Sequence, residues 1–398
     1  MLSWCILLLL FSSLETKTPS LNMDAKALAA SVARFSAKFC NELDKGKSVV
    51  SSPLSAEFVL ALLTLGTSEP AHSELLTALG IPDDDSLRFA FSNAATKLKS
   101  IKGVTLNVAN KIYLNDGGSE LLPQMKEDAI KVFDSDFEKV AFSNGAAAAN
   151  LINGWVESKT NNRIKDLLSS DSLNSDTRLV LINALYFKGN WEKKFDPANT
   201  MDKPFFLTAD SHVNIPMMYR EGNYRYGESA ELGAQLLEMP YQGGESSMLV
   251  ILPQEVDGLD SVLAKLAEGH DLISELEKMF SVKVQVTLPK FKIETTIDLK
   301  ELLPKLGIKA IFDRSDSGIT KILSSDEPLF VSEAVQKAFI EVNEEGAEAA
   351  AATAMGFMAM SAMIGEPLVQ RFTADRPFLA AIIFDEAPFF YATYIGDE

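Results

Sequence analysis

Cysteine and histidine are scarce in this chain of 398 residues, and their scarcity removes whole classes of chemistry. Only two cysteines occur, Cys5 and Cys40, so no disulfide framework can staple the fold, which must rest on its core. The three histidines, His72, His212 and His270, belong to no HExxH or other metal-ligand spacing, so no metal is expected. Also missing are a GxSxG elbow, a Walker loop and a GxGxxG turn, so neither a nucleotide cofactor nor enzymatic activity is indicated. Positive charge is short as well: 37 Lys and Arg stand against 55 Asp and Glu, a formal net charge of −18. That balance argues against nucleic acid or an anionic membrane as a general partner. No N-x-Ser/Thr sequon occurs, so N-glycosylation is not expected.

What is present is ordinary globular material, 47% apolar and 23% charged. The apolar stretch from Trp4 to Phe11 is too short to span a membrane and reads as a secretory leader, taken here as residues 1–18. Its removal leaves Cys40 alone beside an apolar helix face formed by Leu28, Val32, Phe35, Phe39 and Leu43, a packed thiol rather than a nucleophile. Pro53, preceded by Ser52 as a cap, starts a helix through "LSAEFVLALLTLG". Val104, Leu106 and Val108 alternate as a half-buried strand, "NLINGWVESKTNNRIKDLL" has helical spacing, and "TRLVLINALYF" reads as a buried strand. "AQLLEMPYQGGESSMLVILP" reads as a hairpin about Gly243 and Gly244, and Val282, Val284, Val286 and Leu288 alternate again. Helices crowd the first half and strands the second without βαβ alternation or a linker, which predicts one α+β domain over residues 19–398. Lys97, Lys99 and Lys102 form one basic cluster, which reads as a solvated helix end more readily than as a polyanion site. Glycosaminoglycan binding is accordingly not expected.

Near the C-terminus, "KAFIEVNEEGAEAAAATA" joins a strand-like segment to a run of alanine and glutamate, then to a methionine-rich tract ending at Pro367. This stretch resembles the hinge of inhibitory serpins. Further matches follow in order: "SSPLS" at Ser51–Ser55, "TNNRIKDLL" at Thr160–Leu168, "INALYFKGNWEKKF" at Ile182–Phe195, "LPKFKIETTIDLKELL" at Leu288–Leu303 and "DRPFLAAIIF" at Asp375–Phe384. Together they cover the chain from Leu28 to its end, and the wording is most similar to secreted insect serpins. The resemblance implies three β-sheets, about nine helices and an exposed reactive loop at about 344–370. It implies a secreted, monomeric, irreversible inhibitor that is cut as a substrate, traps a serine protease as a covalent acyl-enzyme, and inserts its loop as a new strand.

The family's site positions map onto particular residues. The hinge is Glu344, Glu345, Gly346, Ala347, Glu348, Ala349, Ala350, Ala351 and Ala352. In a strand, Ala347, Ala349, Ala351 and Thr353 share one face and are small enough to enter a packed interior, while Glu348 falls on the other. Family spacing from Gly346 places the reactive bond at Met360–Ser361, with Phe357, Met358 and Met363 as alternatives. A flexible uncharged Met suits an open apolar specificity pocket rather than one built around a carboxylate, hence chymotrypsin-like, elastase-like or subtilisin-like targets. Ser52, Ser55 and Asn183 match the cluster beneath the opening sheet, where Gln336 replaces the usual histidine. Trp191 matches the position where insertion begins, and Lys290 with Glu344 a surface salt bridge at the hinge base. "PFFYATYIGDE" departs from the family's usual ending, with Ala392 where glycine is typical, a local strand variation. The competing functions are a non-inhibitory serpin, acting as carrier, chaperone or storage protein, and an inhibitor of papain-like cysteine proteases.

Overall fold

The computed structural model describes residues 25–345, 369–384 and 387–397. The leader expected at 1–18 lies outside them, as do Gly346–Ala352 of the hinge and the Met360–Ser361 bond. Nine α-helices occur among the described residues. They are α1 (Ala25–Asn41), α2 (Pro53–Leu65), α3 (Ala71–Leu79), α4 (Asp84–Ser100), α5 (Pro123–Lys131), α6 (Gly145–Lys159), α7 (Leu259–Ala267), α8 (Leu272–Lys278) and α9 (Leu299–Leu302). No helix among the described residues is long and apolar enough to cross a membrane.

The strands of the first half are β1 (Val49–Ser51), β2 (Val104–Asn115), β3 (Asp136–Val140) and β4 (Leu179–Gly189). Then come β5 (Met201–Thr208), β6 (Ser211–Ser229), β7 (Ala234–Pro240), β8 (Ser246–Pro253), β9 (Phe280–Pro289) and β10 (Phe291–Asp298). The last four are β11 (Val331–Val342), β12 (Gln370–Thr373), β13 (Phe378–Phe384) and β14 (Ala387–Tyr394). They form a five-stranded sheet, ordered β10-β11-β4-β2-β3, and a nine-stranded one, ordered β1-β14-β13-β8-β7-β6-β9-β12 with β5 on β6. Three sheets were implied, but hydrogen bonding among the described residues separates two. The physical reason is β6, whose 19 residues pair with β5, β9 and β7 along successive stretches and so join two groups of strands into one.

Helix α2 threads the interior. Every one of its 13 residues is buried, as expected of a helix apolar on all sides. Ser52 caps it, accepting from the Ser55 amide, and Pro53 occupies the first turn where its missing N–H costs nothing. The predicted hairpin is β7 and β8, with Gly243 at φ +91° and Gly244 at φ +73° supplying the left-handed turn.

One sequence expectation needs correction and a second is met only in part. The helix predicted through residue 168 stops at Lys159, because Asn161 and Asn162 take φ of +52° and +57°, which no helix continues. Strand β2 exists, but Val104 and Leu106 are only partly buried and Val108 is 38% exposed. The buried part runs from Ile112 to Leu114 instead, where α2 packs on one face of the sheet and α6 on the other.

Candidate functional site

Strands β4 and β11 run side by side and parallel, with nine partnered residue pairs from Val331↔Leu179 to Ile340↔Phe187. Their seam is the centre of the candidate site, and each face is closed differently. On the inner face three amides stand in a row on neighbouring strands: Gln336 on β11, Asn183 opposite it on β4, and Asn110 opposite Asn183 on β2. Gln336 Nε2 donates to Asn183 Oδ1, and Asn183 Nδ2 donates to Asn110 Oδ1 and to Ser55 Oγ. The row is tied to the cap of α2. Gln336 Oε1 accepts from the Ser52 amide at 2.9 Å, and Gln336 Nε2 donates to the Ser52 carbonyl at 2.9 Å. Ser52 Oγ in turn donates to the Phe389 carbonyl of β14 at 2.7 Å.

Gln336 is fully buried and Asn183 nearly so. A buried amide must satisfy both its ends, and this one does so with three directed bonds. None of the side chains in the row titrates in the physiological range, so the clasp across the seam carries no charge to lose or gain with pH. The outer face is apolar: Ile152 and Val156 of α6 and Ile164 beyond it cluster with Ile182 and Tyr186 of β4 and with Val335 and Phe339 of β11.

A second group sits about 20 Å along β11 by strand geometry, where the chain leaves the sheet. Trp191 Nε1 donates to the Asn343 carbonyl at 2.9 Å, and the indole stacks on Tyr241 at 4.7 Å between centroids. Gly189 makes room for that stack, since a Cβ there would come within 2.4 Å of the Tyr241 ring. Glu344 is held at three points: its carbonyl accepts from the Phe195 amide, and its carboxylate takes the Thr200 hydroxyl and Lys290 Nζ, each at 2.9 Å. Burial raises the Glu344 carboxyl, but the Lys290 bond first, then backbone and Thr200 bonds, outweigh it and hold it below the usual carboxylate range. The pair was expected near the surface; Glu344 is instead 8% exposed, and only Lys290 reaches solvent. Glu345 follows, exposed, its amide bonded to Asn343 Oδ1.

The structure thus brings Ser52, Ser55, Asn183 and Gln336 into one network and Trp191, Lys290 and Glu344 into another. Sequence reasoning missed Asn110, Phe195, Thr200 and Tyr241. For Asn110 a signal existed, an asparagine inside a strand, where the residue is normally depleted.

Cys40 is buried, 3.8 Å from Ser51 Oγ, and burial pushes its thiol up to about 12, so it is inert. His270 lies between Glu231 (3.3 Å) and Glu275 (2.9 Å), a juxtaposition no sequence spacing announced. Lys278 also bonds Glu275, so a cation already serves that carboxylate. Lys97 and Lys99 fall in the last turn of α4, and Lys99 pairs with Asp134 at 2.7 Å, as a helix end would have it. Ala392 is a buried mid-strand residue of β14, opposite Val50 and Ala380.

Comparison with known proteins bears on the family and the fold. The profile of the family described as "Serpin (serine protease inhibitor)" matches residues 30–395. Antichymotrypsin-2 of Bombyx mori is 47% identical over 350 residues, 87% of this chain and 92% of that one. Antitrypsin of the same organism is 45% identical, over 91% of this chain and 92% of that protein. Among solved structures, a highly specific serpin of the insect Tenebrio molitor superposes with a TM-score of 0.84 at 31% identity, over 94% of this chain and all of that one.

Proposed function

This chain belongs to the serpin family, and on that premise we propose that it is an irreversible suicide inhibitor of chymotrypsin-like or elastase-like serine proteases. The bait is the segment at about 344–370, and the reactive bond is Met360–Ser361. The protease serine attacks the Met360 carbonyl, the Ser361 amine departs, and the Met360 acyl group stays esterified to the enzyme. The freed hinge then enters the five-stranded sheet and carries the acyl-enzyme with it. The protein acts as a secreted monomer, with residues 1–18 as its leader.

One observation carries the reading: β4 and β11 are paired directly and in parallel, and β11 leads straight into the hinge. A strand formed from Gly346 onward would double back antiparallel to both neighbours. It would replace one parallel ladder with two antiparallel ones, the better-aligned kind. The net gain is about one ladder of hydrogen bonds, on the order of 10 kcal/mol at ~1 kcal/mol each. Ala347, Ala349, Ala351 and Thr353 are small enough for the inward face of such a strand, which favours an inhibitor over a carrier. Of the two silkworm relatives, the name antichymotrypsin fits Met360 better than antitrypsin does, since a trypsin-like pocket wants a cation.

The test is incubation of the mature protein with chymotrypsin, pancreatic elastase, trypsin and papain, followed by denaturing gels and sequencing of the released peptide. A complex that survives denaturation with either of the first two, and a new N-terminus at Ser361, is expected. Cleavage without complex in every case would establish the non-inhibitory reading instead. A complex with trypsin or papain alone would overturn the target class.

A further inference from the structure

Glycine follows asparagine at two places in the chain, Asn144-Gly145 and Asn153-Gly154, and both fall at α6. Glycine carries no side chain to obstruct its own amide nitrogen, so such a pair cyclises wherever that nitrogen is free to attack the preceding side-chain amide. The fold treats the two pairs oppositely.

Asn144 is exposed and caps the helix, its Oδ1 accepting from the Ala147 amide at 3.2 Å. Its Nδ2 meets no partner among the described residues, and neither does the Gly145 amide, one of the N–H groups a first helical turn leaves unpaired. Nucleophile and leaving group are therefore both unengaged. The Ala147 N–H meanwhile points at the oxygen on which negative charge gathers when nitrogen adds to Cγ. Packing fixes the glycine: a Cβ on Gly145 would come within 2.4 Å of the Leu173 carbonyl and 2.7 Å of the Ser170 carbonyl. Asn153 lies inside the helix instead. Its Nδ2 donates to the Leu168 carbonyl and its Oδ1 accepts from the Leu168 amide, both at 2.9 Å, while the Gly154 amide is committed to the helical ladder.

We propose that Asn144 is a site of non-enzymatic deamidation, with water as the only co-reactant, and that Asn153 is protected from it. The Gly145 nitrogen gives its proton to solvent base and bonds to Asn144 Cγ. The Cγ–Nδ2 bond then breaks, and the nitrogen departs as ammonia after taking a proton back from solvent. The resulting succinimide takes up one water. Opening at Cγ leaves aspartate, whereas opening at the main-chain carbonyl leaves isoaspartate, with the backbone routed through Cβ and Cγ. Aspartate keeps the cap and adds negative charge at the positive end of the helix. Isoaspartate lengthens the main chain by one carbon and moves the carboxylate onto Cα, so the Ala147 amide loses its acceptor. Because α6 supplies Ile152 and Val156 to the outer cover of the β4–β11 seam, that cover changes with age without any protease.

The test is ageing of the intact protein in mildly alkaline buffer, with and without urea, followed by peptide mass mapping and labelling with a protein-isoaspartate methyltransferase. In the folded protein Asn144 should gain the mass shift and the label about a hundred-fold faster than Asn153, where attack must first break three hydrogen bonds. In urea the two sites should react at similar rates. Asn144→Ser keeps an oxygen cap, cannot cyclise, and should take up no label in the folded state. Hydrogen exchange over residues 145–149 should be faster in the isoaspartyl species than in fresh protein, and no faster in Asn144→Asp. An unreactive Asn144, equal reaction of both asparagines in the folded protein, or a preference that persists in urea would overturn the proposal. Isoaspartyl protein with unaltered exchange in that first turn would overturn the effect on α6.

Discussion

Replacing Gln336 with leucine tests the clasp across the β4–β11 seam. Leucine is close in volume, so the change removes bonds without opening a large cavity. Two groups are left without partners: the Ser52 amide, whose acceptor is Gln336 Oε1, and Asn183 Oδ1, whose donor is Gln336 Nε2. The Ser52 carbonyl is spared, because the Ala56 amide also bonds it at 3.2 Å. Each orphan costs about 1–3 kcal/mol, and the apolar side chain returns about 1 kcal/mol, so a net loss of about 1–5 kcal/mol is expected. Thermal denaturation at a fixed scan rate should show a midpoint several degrees lower, and native gels should show faster heat-induced conversion. Gln336→Glu refines the test. As a carboxylate it still accepts from Ser52 but repels Asn183 Oδ1, and once protonated it regains a donor, so this variant should gain more stability than the parent as pH falls. A leucine variant within about 0.5 kcal/mol of the parent, the range of an ordinary surface change, would refute the reasoning. So would a glutamate variant with the parent's pH profile.

Three further outcomes follow from the same physics. The Glu344 carboxyl is held below its usual 4.5, so its stabilisation is present above that value and is lost as pH falls through the lowered one. Glu344→Gln should therefore cost about 1–2 kcal/mol at pH 7, limited because Lys290 is 41% exposed, and the difference in urea midpoint should vanish in acid. A gap that persists well below pH 4 would refute this. Glu57, buried in α2 with Oε1 unpartnered, has its carboxyl pushed up by desolvation, so its folded form keeps the proton while the unfolded chain releases it above about 4.5. Stability should fall as pH rises towards the raised folded value, and Glu57→Gln should flatten that slope; parallel slopes in urea titrations would show the carboxyl to be irrelevant. Ala351→Arg should turn inhibitor into substrate, since a guanidinium would have to enter the sheet interior. Undiminished formation of denaturation-resistant complex by that variant would reverse the face assignment.

The elements legible in the sequence were those whose burial follows a single period. Helix α2 announced itself through Ser52, Pro53 and a solid apolar run, and β4 through "LVLINALYF". Gly243 and Gly244 marked the hairpin because left-handed backbone is what they permit. Residues 160–168 were misread because their apolar spacing persists while two asparagines turn the backbone; side-chain pattern alone does not report φ. Strand β2 was legible at Val104 and Leu106, which pack partly buried against the core, but not at Val108 or in its fully buried second half, because its covering helices are distant in sequence. Partners in the site show the same limit. Asn183 and Gln336 are 153 positions apart, and only the register of two parallel strands makes them neighbours. Thr200 and Phe195 could not be paired with Glu344 for the same reason.

The two faces of the seam bear unequally on the proposed insertion. To admit a strand, β4 and β11 must move apart by one further strand spacing, about 4.8 Å. The outer cover of Ile152, Val156 and Ile164 is apolar, and such contacts loosen gradually because they have no preferred direction. The inner row behaves otherwise. A hydrogen bond from Gln336 to Asn183 is gone after a shift of about 1 Å, long before an incoming backbone can satisfy either amide. The resistance therefore lies early in the opening and on the inner face, while the compensating ladder forms late. That asymmetry lets a sheet with a better-bonded alternative persist uncut. Because the row contains amides and no histidine, the barrier should hold the same height across the physiological pH range. Unaltered protein that inserts or converts several-fold faster at pH 5.5 than at pH 7.5, with the Gln336→His variant no more pH-sensitive, would place the barrier elsewhere.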